Sequence, residues 1–314
     1  MLSGLFGFTR QAFYKSVREK QQELIQGQLV LEMVRKQRQI LKKAGSRKLL
    51  LMLRNKFSEN NIQIGRDAFF DLLRENGLLI RRRKRKAVTT MSNHWLFKYP
   101  NLIKEIAITR PDQVWVADIT YIETDEGYLY LYLLTDAYSR KILGFSFADN
   151  LRAVNAVQAL QMAIANSTGL KDRLIHHSDR GVQYCSEEYV KVLQKNKIVI
   201  SMAAVGNPYE NAVAERVNGI LKDEWINDLH FETYRQAGRK IAETIIQYNN
   251  LRLHSSCDML TPSQAYKVSG ELKKHWKTYR RERKPEMTSD LEAGFYEAYS
   301  QQHIEKQTQP VETG

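Results

Sequence analysis

The sequence predicts an α/β domain preceded by an all-α region, and three observations support this. Helix-type spacing of apolar residues, with Gly and Asn at the ends of the repeats, runs through the first 80 residues. From Gln113 onwards, three consecutive β-rich runs are followed by alternating helix and strand. Residues 1–110 hold 24 Lys/Arg and 8 Asp/Glu, a net charge of +16, whereas the rest of the chain has a net charge of −3. Basic charge gathered in one region is typical of a protein that binds a polyanion.

The composition of the 314-residue chain limits its class. Its length suffices for two or three small domains, and no apolar run approaches the length of a membrane span. The first 14 residues are interrupted by Gly and Arg and lack a small-residue cleavage site, so no signal peptide is expected. The two cysteines, Cys185 and Cys257, form no CxxC pair, which argues against a disulfide framework or a cysteine-based zinc site. We therefore expect a soluble protein of a reducing cytoplasm, without a membrane partner.

Residues 1–44 form the first predicted segment, which is helical. A helix is expected over residues 10–26, with Thr9 as its N-cap and Gly27 as its stop, and a second helix over residues 29–43. The Gly-containing turn before the first helix suits either the second half of a helix-turn-helix or an ordinary capped helix, and the sequence leaves both open.

Residues 45–80 are predicted to form a helix–turn–helix module that binds DNA. Ser46 caps its first helix, over residues 47–57, and an Asn-Gly pair ends its second helix, over residues 66–75. The exposed face of the second helix is expected to carry basic side chains.

Residues 81–110 form a basic and aromatic linker in this prediction. It opens with six consecutive cations, Arg81, Arg82, Arg83, Lys84, Arg85 and Lys86. Such a run resists burial, so it is a solvated linker, a localisation signal or a segment that follows phosphates. Its place between a predicted DNA-binding module and the α/β domain favours phosphate contacts.

Residues 111–270 are predicted to form the α/β domain. Strands are expected at residues 114–122, 128–134, 142–147, 174–177 and 198–202, and helices at residues 153–166, 187–195, 211–222 and 234–248. Three consecutive strands and then alternating helix and strand are the order of a ribonuclease-H-like domain. Residues 271–314 follow as a basic helix over residues 272–284 and a polar tail.

Three carboxylates in the α/β domain suggest a site for hard divalent cations. Asp118 lies on the first predicted strand, Asp179 follows the fourth, and Glu215 lies on a later helix. Mg²⁺ prefers such oxygen ligands and keeps positions for water and phosphate. His177 is a candidate for orienting Asp179, whereas Asp136 ends a strand and is interpreted as a turn residue.

The helix that carries Glu215 has a polar stripe. At 100° per residue, Asn211, Asn218 and Lys222 fall within about 60° of Glu215, and the apolar residues fall on the opposite side. The stripe either faces a site or is a solvated helix surface, and the helix pattern alone leaves both open.

These features together resemble the DDE integrase core. Thirty-five residues separate Asp179 from Glu215, and a basic residue follows the Glu by seven positions. The sequence motifs around these residues resemble those of the second-frame transposase of the IS-three type of bacterial insertion sequences, over about residues 9–266. They are HSDRG at residues 177–181, GNPY at 206–209, LKDE at 221–224 and YNxxRxH at 248–254. After the last of these motifs, the family usually continues with a Leu-Gly pair, which this chain replaces with other residues. The resemblance therefore does not predict the conformation of that loop.

The resemblance implies two-metal-ion chemistry on DNA. Asp118 would bridge two Mg²⁺ ions, for which Mn²⁺ is a substitute, with Asp179 on one ion and Glu215 on the other. The site would nick an element end with water and then join the freed 3′-OH to a second phosphodiester. Lys222 would hold a phosphate near the terminal nucleotide.

The resemblance also implies partners and a location. The partners are double-stranded DNA of the element ends and of the target, further copies in a homodimer or higher oligomer, and an upstream-frame protein or fusion. The location is the bacterial cytoplasm, in association with the nucleoid. The side chains predicted to contact DNA, besides the six cations of the linker, are Lys222, Asn211, Asn218, Arg10, Arg66 and Arg74.

Other functions stay open beside this one. A catalytically silent DNA-binding regulator of transposition is disfavoured by the complete set of three acids. A ribonuclease-H-like nuclease is disfavoured by the long N-terminal region. A retroviral-type integrase is disfavoured because the N-terminal third contains only His94 and no cysteine, so a His/Cys zinc module cannot be built.

Overall fold

The computed structural model describes residues 10–80, 96–167, 173–203 and 211–275, and the chain divides into two compact units between residues 85 and 86. The predicted basic run at residues 81–86 and the predicted tail from residue 276 lie outside the described residues.

The first unit consists of helices whose apolar stripes pack together. The helices are α1 (Arg10–Ile40), α2 (Ser46–Glu59) and α3 (Arg66–Glu75). Leu49, Leu53 and Phe57 lie at four-residue spacing on α2 and are buried, and the Phe57 ring lies 6.1 Å from that of Phe69 on α3. This spacing places them on one face of the helix, which therefore forms the core of the unit.

The predicted break at Gly27 is wrong, because α1 continues through it without interruption. A Gly in a helix interior costs about 1 kcal/mol relative to Ala. Packing offsets that cost: Val30 and Val34 are buried, and a Cβ added to Gly27 would lie 3.6 Å from Leu72 Cδ1. The predicted second helix is therefore the last part of α1, which ends at Ile40. The turn that would precede α1 in a helix-turn-helix lies outside the described residues.

The predicted ends of α2 and α3 agree in part with the structure. Ser46 is the first residue of α2 and makes no capping bond, since Gly45 holds the cap position. The bounds of α3 are those predicted, and Gly77 after it has a φ of 64°, which a Gly adopts without strain.

The second unit is built on a mixed sheet of order β3-β2-β1-β4-β5. The strands are β1 (Val114–Thr124), β2 (Gly127–Asp136), β3 (Ile142–Ala148), β4 (Ile175–Ser178) and β5 (Val199–Met202). The first three pair antiparallel, β4 pairs parallel to β1, and β5 pairs parallel to β4. The predicted ribonuclease-H-like order is thereby confirmed.

Helices cover both faces of the sheet. They are α4 (Ala153–Asn166), α5 (Val182–Cys185), α6 (Glu187–Lys195), α7 (Ala212–Leu221), α8 (Tyr234–Leu251) and α9 (Pro262–Ala265), with a π-helical turn (Lys222–Ile226) directly after α7. Along β1, Trp115 packs with α4 and α6, whereas Val114 and Val116 pack with Ala214 of α7. Because side chains alternate along a strand, Asp118 shares the face of Val116 and lies on the α7 side.

The part of the predicted linker that the structure describes, residues 96–110, belongs to this unit. Leu96 and Tyr99 pack on the core, and the Met202 N–H of β5 donates to the Pro100 carbonyl at 3.2 Å. The Leu102 N–H donates to the Ser201 hydroxyl at 2.9 Å. The linker therefore ends earlier than predicted, because its second half adds to the β5 side of the sheet.

Hydrogen bonds join the C-terminal part of the second unit to the segment just before β1. The Tyr266 hydroxyl donates to the buried Asp112 carboxylate at 2.7 Å, and the Trp115 indole donates to the same group at 2.9 Å. Residues 272–275 of the predicted C-terminal helix are not helical, and the rest of it lies outside the described residues. Among the described helices, none combines the length and the apolar composition that crossing a membrane requires.

Candidate active site

Asp118 and Asp179 come from neighbouring parallel strands. The β1–β4 register sets Val116 opposite His177. Continued by two residues along both strands, it sets Asp118 opposite Asp179. Neighbouring strands lie about 4.8 Å apart, so the two acids start from adjacent backbone positions. The strand adjacency implied by the family resemblance is confirmed.

Asp179 opens a tight turn at the end of β4. Its Oδ1 accepts a hydrogen bond from the Gly181 N–H at 3.0 Å. A Cβ added to Gly181 would also lie 3.0 Å from this oxygen, closer than ordinary contact. A side chain at position 181 would therefore press on the carboxylate, and glycine lets the turn hold Asp179 at the strand end.

Glu215 lies on the exposed side of α7, and two asparagines hold that helix on β1. Asn211 Nδ2 donates to the Ala117 carbonyl at 3.1 Å, and Asn218 Nδ2 donates to Asp118 Oδ2 at 2.7 Å. These residues lie about one turn before and after Glu215. Asn211 and Asn218 of the polar stripe thus face β1 and Asp118, whereas Glu215 itself is exposed, so the stripe is not simply a solvated helix surface.

The placement of Asn211 and Asn218 does not favour the DNA contact predicted for them. Their side chains are buried, with exposed fractions of 6% and 5%. Both amides reach back to β1 because α7 packs directly on that strand. We therefore interpret them as residues that position α7 and the carboxylate of Asp118.

The environment of Asp118 disfavours its ionised form. Its pKa is raised to about 7, first by burial and then by the charge of Asp179, with Glu215 adding the smallest upward contribution. The hydrogen bonds from Asn218 and from the Ile119 N–H, at 3.0 Å, act in the opposite direction. A nearby cation would favour the carboxylate, because opposite charge stabilises an ionised acid.

The chemistry of these side chains suits a hard divalent cation, although they are not gathered round one point. Within the described residues, no group of three His, Cys, Asp or Glu side chains is placed to hold a metal ion. Asp118 and Asp179 are the pair that the sheet brings together. Asn218 Oδ1 is buried beside them without a hydrogen-bond partner in the described part of the chain, which leaves an acceptor for a bound water or hydroxyl.

Lys222 lies against β1 at the first position of the π-helical turn. Its Nζ donates to the Tyr121 carbonyl at 2.8 Å and to the Thr120 hydroxyl at 3.2 Å, and it lies 4.5 Å from the centroid of the Tyr121 ring. Burial lowers its pKa, while the charges of Asp223 and Asp118 act to raise it. The ammonium group is therefore held close to the acidic site, on the outer part of β1.

The side chains predicted to contact DNA from the first unit are exposed where they are described. Arg66 pairs with Asp67 at 2.8 Å, and Arg74 pairs with Asp71. Such exposed pairs are worth little and exchange readily for phosphate. Arg10 begins α1, but its side chain lies outside the described part of the structure.

The remaining polar candidates have structural contacts. His176 Nε2 lies 2.8 Å from the Tyr189 hydroxyl, and His177 Nδ1 lies 2.8 Å from the Ser201 hydroxyl of β5. The orienting role of His177 stays a prediction. Asp136 accepts bonds from the Ser139 N–H at 2.7 Å and from its hydroxyl at 2.6 Å, which confirms it as a turn residue.

Sequence reasoning missed the bond between Asn218 and Asp118. The available signal was an amide on the polar stripe, three residues after Glu215 and facing the same way. That spacing shows a shared face, but the identity of the partner across the interface depends on how α7 packs on β1.

Two family models and several known proteins are similar to this chain. Residues 108–208 and residues 196–262 each match a family model described as "Integrase core domain". The chain is also similar to the HTLV-2 integrase catalytic core domain in complex with magnesium, at 20% identity and a TM-score of 0.40, over 50% of this chain and 97% of that one.

Relatives from bacterial insertion sequences share more of the sequence. The "Insertion element IS600 uncharacterized 31 kDa protein" of Shigella sonnei is 35% identical over 263 residues, 82% of this chain and 95% of the relative. The transposase for insertion sequence element IS904 of Lactococcus lactis is 39% identical over 54% of this chain and 68% of its own length. Transposase InsF for insertion sequence IS3A of Escherichia coli is 36% identical over 61% and 67%. From these matches, the chain belongs to the IS3-type family of insertion-sequence transposases, polynucleotidyl transferases that act on DNA.

Proposed function

We propose that this chain cuts DNA at the ends of its own element and joins the freed 3′ ends to target DNA. Asp118, Asp179 and Glu215 are its catalytic carboxylates and would hold two Mg²⁺ ions, for which Mn²⁺ can substitute. The observation that carries the proposal is the β1–β4 register, which pairs Val116 with His177, each two residues before an acid, so that the charge of Asp179 acts on Asp118.

The contacts around the acids support this role. Divalent ions held by Asp118, Asp179 and Glu215 would activate the attacking oxygen and stabilise the leaving oxygen of a phosphodiester. Asn218 and the Ile119 N–H orient the carboxylate of Asp118. The Gly181 N–H donates to the carboxylate of Asp179 and holds it at the start of the turn. These bonds fix the acids before substrate arrives, which is how a site lowers the reorganisation needed in the transition state.

The proposed reaction has two displacements at phosphorus. In the first, a water oxygen bonds to the phosphorus of the element end, the bond from phosphorus to the 3′ oxygen breaks, and that oxygen leaves as a 3′-OH. In the second, this 3′-OH attacks a target phosphodiester and displaces another 3′ oxygen, which takes up the proton. One phosphodiester is exchanged for another, so the joining step needs no energy source and no covalent intermediate on the protein.

The basic first unit is proposed to bind the element ends. Most of the positive excess of residues 1–110 lies in this unit, and Arg66 and Arg74 are exposed on α3. A homodimer or higher oligomer would hold two ends together, and an upstream-frame protein or fusion would complete the active form.

The test is to change each acid to its amide: Asp118→Asn, Asp179→Asn and Glu215→Gln. Each should lower both nicking and joining by roughly 10³-fold, because a metal site contributes several kcal/mol to the transition state, while DNA binding stays nearly unchanged. Glu188→Gln, an exposed acid on α6, is the matched control and should behave as wild type.

The outcome separates the alternatives. Near wild-type joining by one of the amide variants would remove that residue from the site. Binding without any cutting by the wild-type protein would favour a regulator, and cutting without joining would favour a nuclease.

A further inference from the structure

Two sequence motifs far apart in the chain meet in one buried ion pair. Glu224 belongs to the π-helical turn after α7, and Arg252 follows α8. Arg252 Nε donates to Glu224 Oε2 at 2.7 Å and Arg252 Nη2 donates to Glu224 Oε1 at 2.5 Å. The exposed fractions of the two side chains are 6% for Arg252 and 20% for Glu224. Both oxygens are thus engaged by a planar fork, the arrangement that fixes the relative orientation of both groups.

The rest of the second motif ties Arg252 into the sheet. Arg252 Nη1 lies 3.0 Å from His254 Nε2, and the His254 ring packs edge-on to Tyr248 at 5.2 Å. The Tyr248 hydroxyl donates to the Arg140 carbonyl at 3.0 Å. The guanidinium group is therefore connected to the turn that leads into β3 through His254 and Tyr248.

The π-helical turn presents its side chains in two directions. The Asn227 N–H donates to the Lys222 carbonyl at 2.8 Å, five residues back, which gives the wider turn. Lys222 reaches β1, while Glu224 and Trp225 reach the α8 side, where the Trp225 indole donates to Gln247 Oε1 at 3.0 Å. Wider turns of this kind inside helices frequently occur at functional sites.

The energetics favour a positioning role over a stabilising one. Burying an ion pair costs desolvation that the attraction roughly repays, so such a pair adds little to stability by itself. Its geometry, however, admits one arrangement of the two elements. Any shift of the turn along α8 would leave a buried charge unpaired, which is strongly unfavourable.

We propose that Glu224 and Arg252 are positioning residues that set the end of α7 on β1, and thereby the placement of Lys222 and Glu215 relative to Asp118. Neither side chain touches the substrate. This inference rests on the proposed function, because its effect is read out in DNA joining.

The experiment uses the full chain and a duplex that carries the element end. The variants are Glu224→Gln, which keeps the shape and removes the charge, and Arg252→Lys, which keeps the charge and removes the fork. Trp225→Phe is a third variant, which removes the indole donor together with part of the buried ring. Glu187→Gln is the matched control, since it breaks the exposed Lys191–Glu187 pair on α6, away from these contacts.

The expected result is a split between binding and rate. A displacement of about 1 Å in a catalytic constellation costs on the order of 100-fold in rate, so joining at saturating DNA should fall by up to that factor in Glu224→Gln. The fall in Arg252→Lys and Trp225→Phe should be smaller. The KM for DNA and the folded fraction, followed by circular dichroism, should stay close to wild type in these variants, and the control should match wild type throughout.

The opposite result is equally clear. A merely structural pair would lower the melting temperature and leave the joining rate per folded molecule unchanged, and that outcome overturns the inference. If Glu224→Gln does not fold, wild-type rates in both Arg252→Lys and Trp225→Phe overturn it. Failure of the proposed function itself looks different, because the wild-type protein would then show no Asp118-dependent joining.

Discussion

At the scale of single residues, Lys222 is the side chain for which we propose a phosphate contact. An ammonium group has donors only, so Lys222 cannot ligate a metal ion and is suited to a phosphate oxygen. Two of its hydrogen bonds go to Thr120 and Tyr121 of β1. The side chain is thus held beside the acids, and less conformational entropy is lost when DNA binds.

We expect Lys222→Ala to weaken end binding and to slow joining by about 10- to 100-fold, the value of a hydrogen bond to a charged group. Lys222→Arg should restore part of the activity, because it keeps the charge with a different donor geometry. The dependence on Mg²⁺ concentration should not change in either variant. The control is Lys191→Ala on the exposed side of α6, where Lys191 pairs with Glu187. Joining by Lys222→Ala at the wild-type rate would show that this lysine is a solvated helix residue.

At the scale of elements, the contact between β3 and α4 depends on small side chains. Gly144 of β3 lies so close to α4 that an added Cβ would be 2.0 Å from the Ala159 carbonyl oxygen and 2.6 Å from the Ala163 nitrogen. These are backbone atoms, which cannot rotate away as a side chain can. A larger residue at position 144 would therefore push α4 away from β3.

Gly144→Ala should destabilise the fold by about 1–3 kcal/mol or more, because overpacking forces the helix off the sheet. Gly219→Ala is the matched comparison on α7, where nothing lies within 4 Å of an added Cβ. There the same change should stabilise by up to about 1 kcal/mol through the helix preference of Ala. Urea unfolding of both variants measures the difference. Equal effects at the two positions would contradict this view of the β3–α4 contact.

At the scale of the whole molecule, buried ionisable groups make stability depend on pH in opposing ways. Burial, followed by the charge of His177, lowers the pKa of His176 to about 3. Below about pH 6.5, His176 is protonated in the unfolded chain but stays neutral in the folded chain. The free energy of unfolding therefore decreases as the pH falls. Burial raises the pKa of Asp136 to about 6, and this carboxyl has the opposite effect between pH 3.8 and 6.

The contribution of His176 can be isolated with His176→Gln, which keeps an acceptor for the Tyr189 hydroxyl. Between pH 7 and pH 5, the wild-type protein should lose about 2 kcal/mol more of its free energy of unfolding than the variant does. Denaturant unfolding at both pH values gives this difference. The same loss in both proteins would mean that His176 titrates normally in the folded state.

The proposed binding of DNA ends by the first unit gives a prediction about DNA affinity. A fragment that starts at residue 96, and so keeps the segment packed on β5, should lose specific binding to the element end. Binding of the full chain should be strongly salt-dependent, with log K falling by about 0.9 per neutralised phosphate for each tenfold rise in salt. Filter binding or fluorescence anisotropy measures both. A fragment that bound the element end with the affinity of the full chain would show that the DNA-binding surface lies in the second unit.

The sequence by itself determined the elements and the candidate acids. The bounds of α3, the succession of strands along the chain and the polar stripe of α7 follow from short-range patterns, because periodicity and stop residues act over a few positions. The carboxylates were found by residue type and spacing, and the family resemblance supplied the adjacency of β1 and β4.

Only the tertiary structure decided which groups meet. Asn218 and Asp118 are 100 residues apart, and Glu224 and Arg252 are 28 apart, so neither bond has a local signal. The same holds for α1, where burial of Val30 and Val34 overrides the helix-breaking tendency of Gly27. The physical reason is that local preferences are worth about 1 kcal/mol or less per residue, whereas burial of a side chain contributes about 1.5–3 kcal/mol and depends on the partner that the fold supplies.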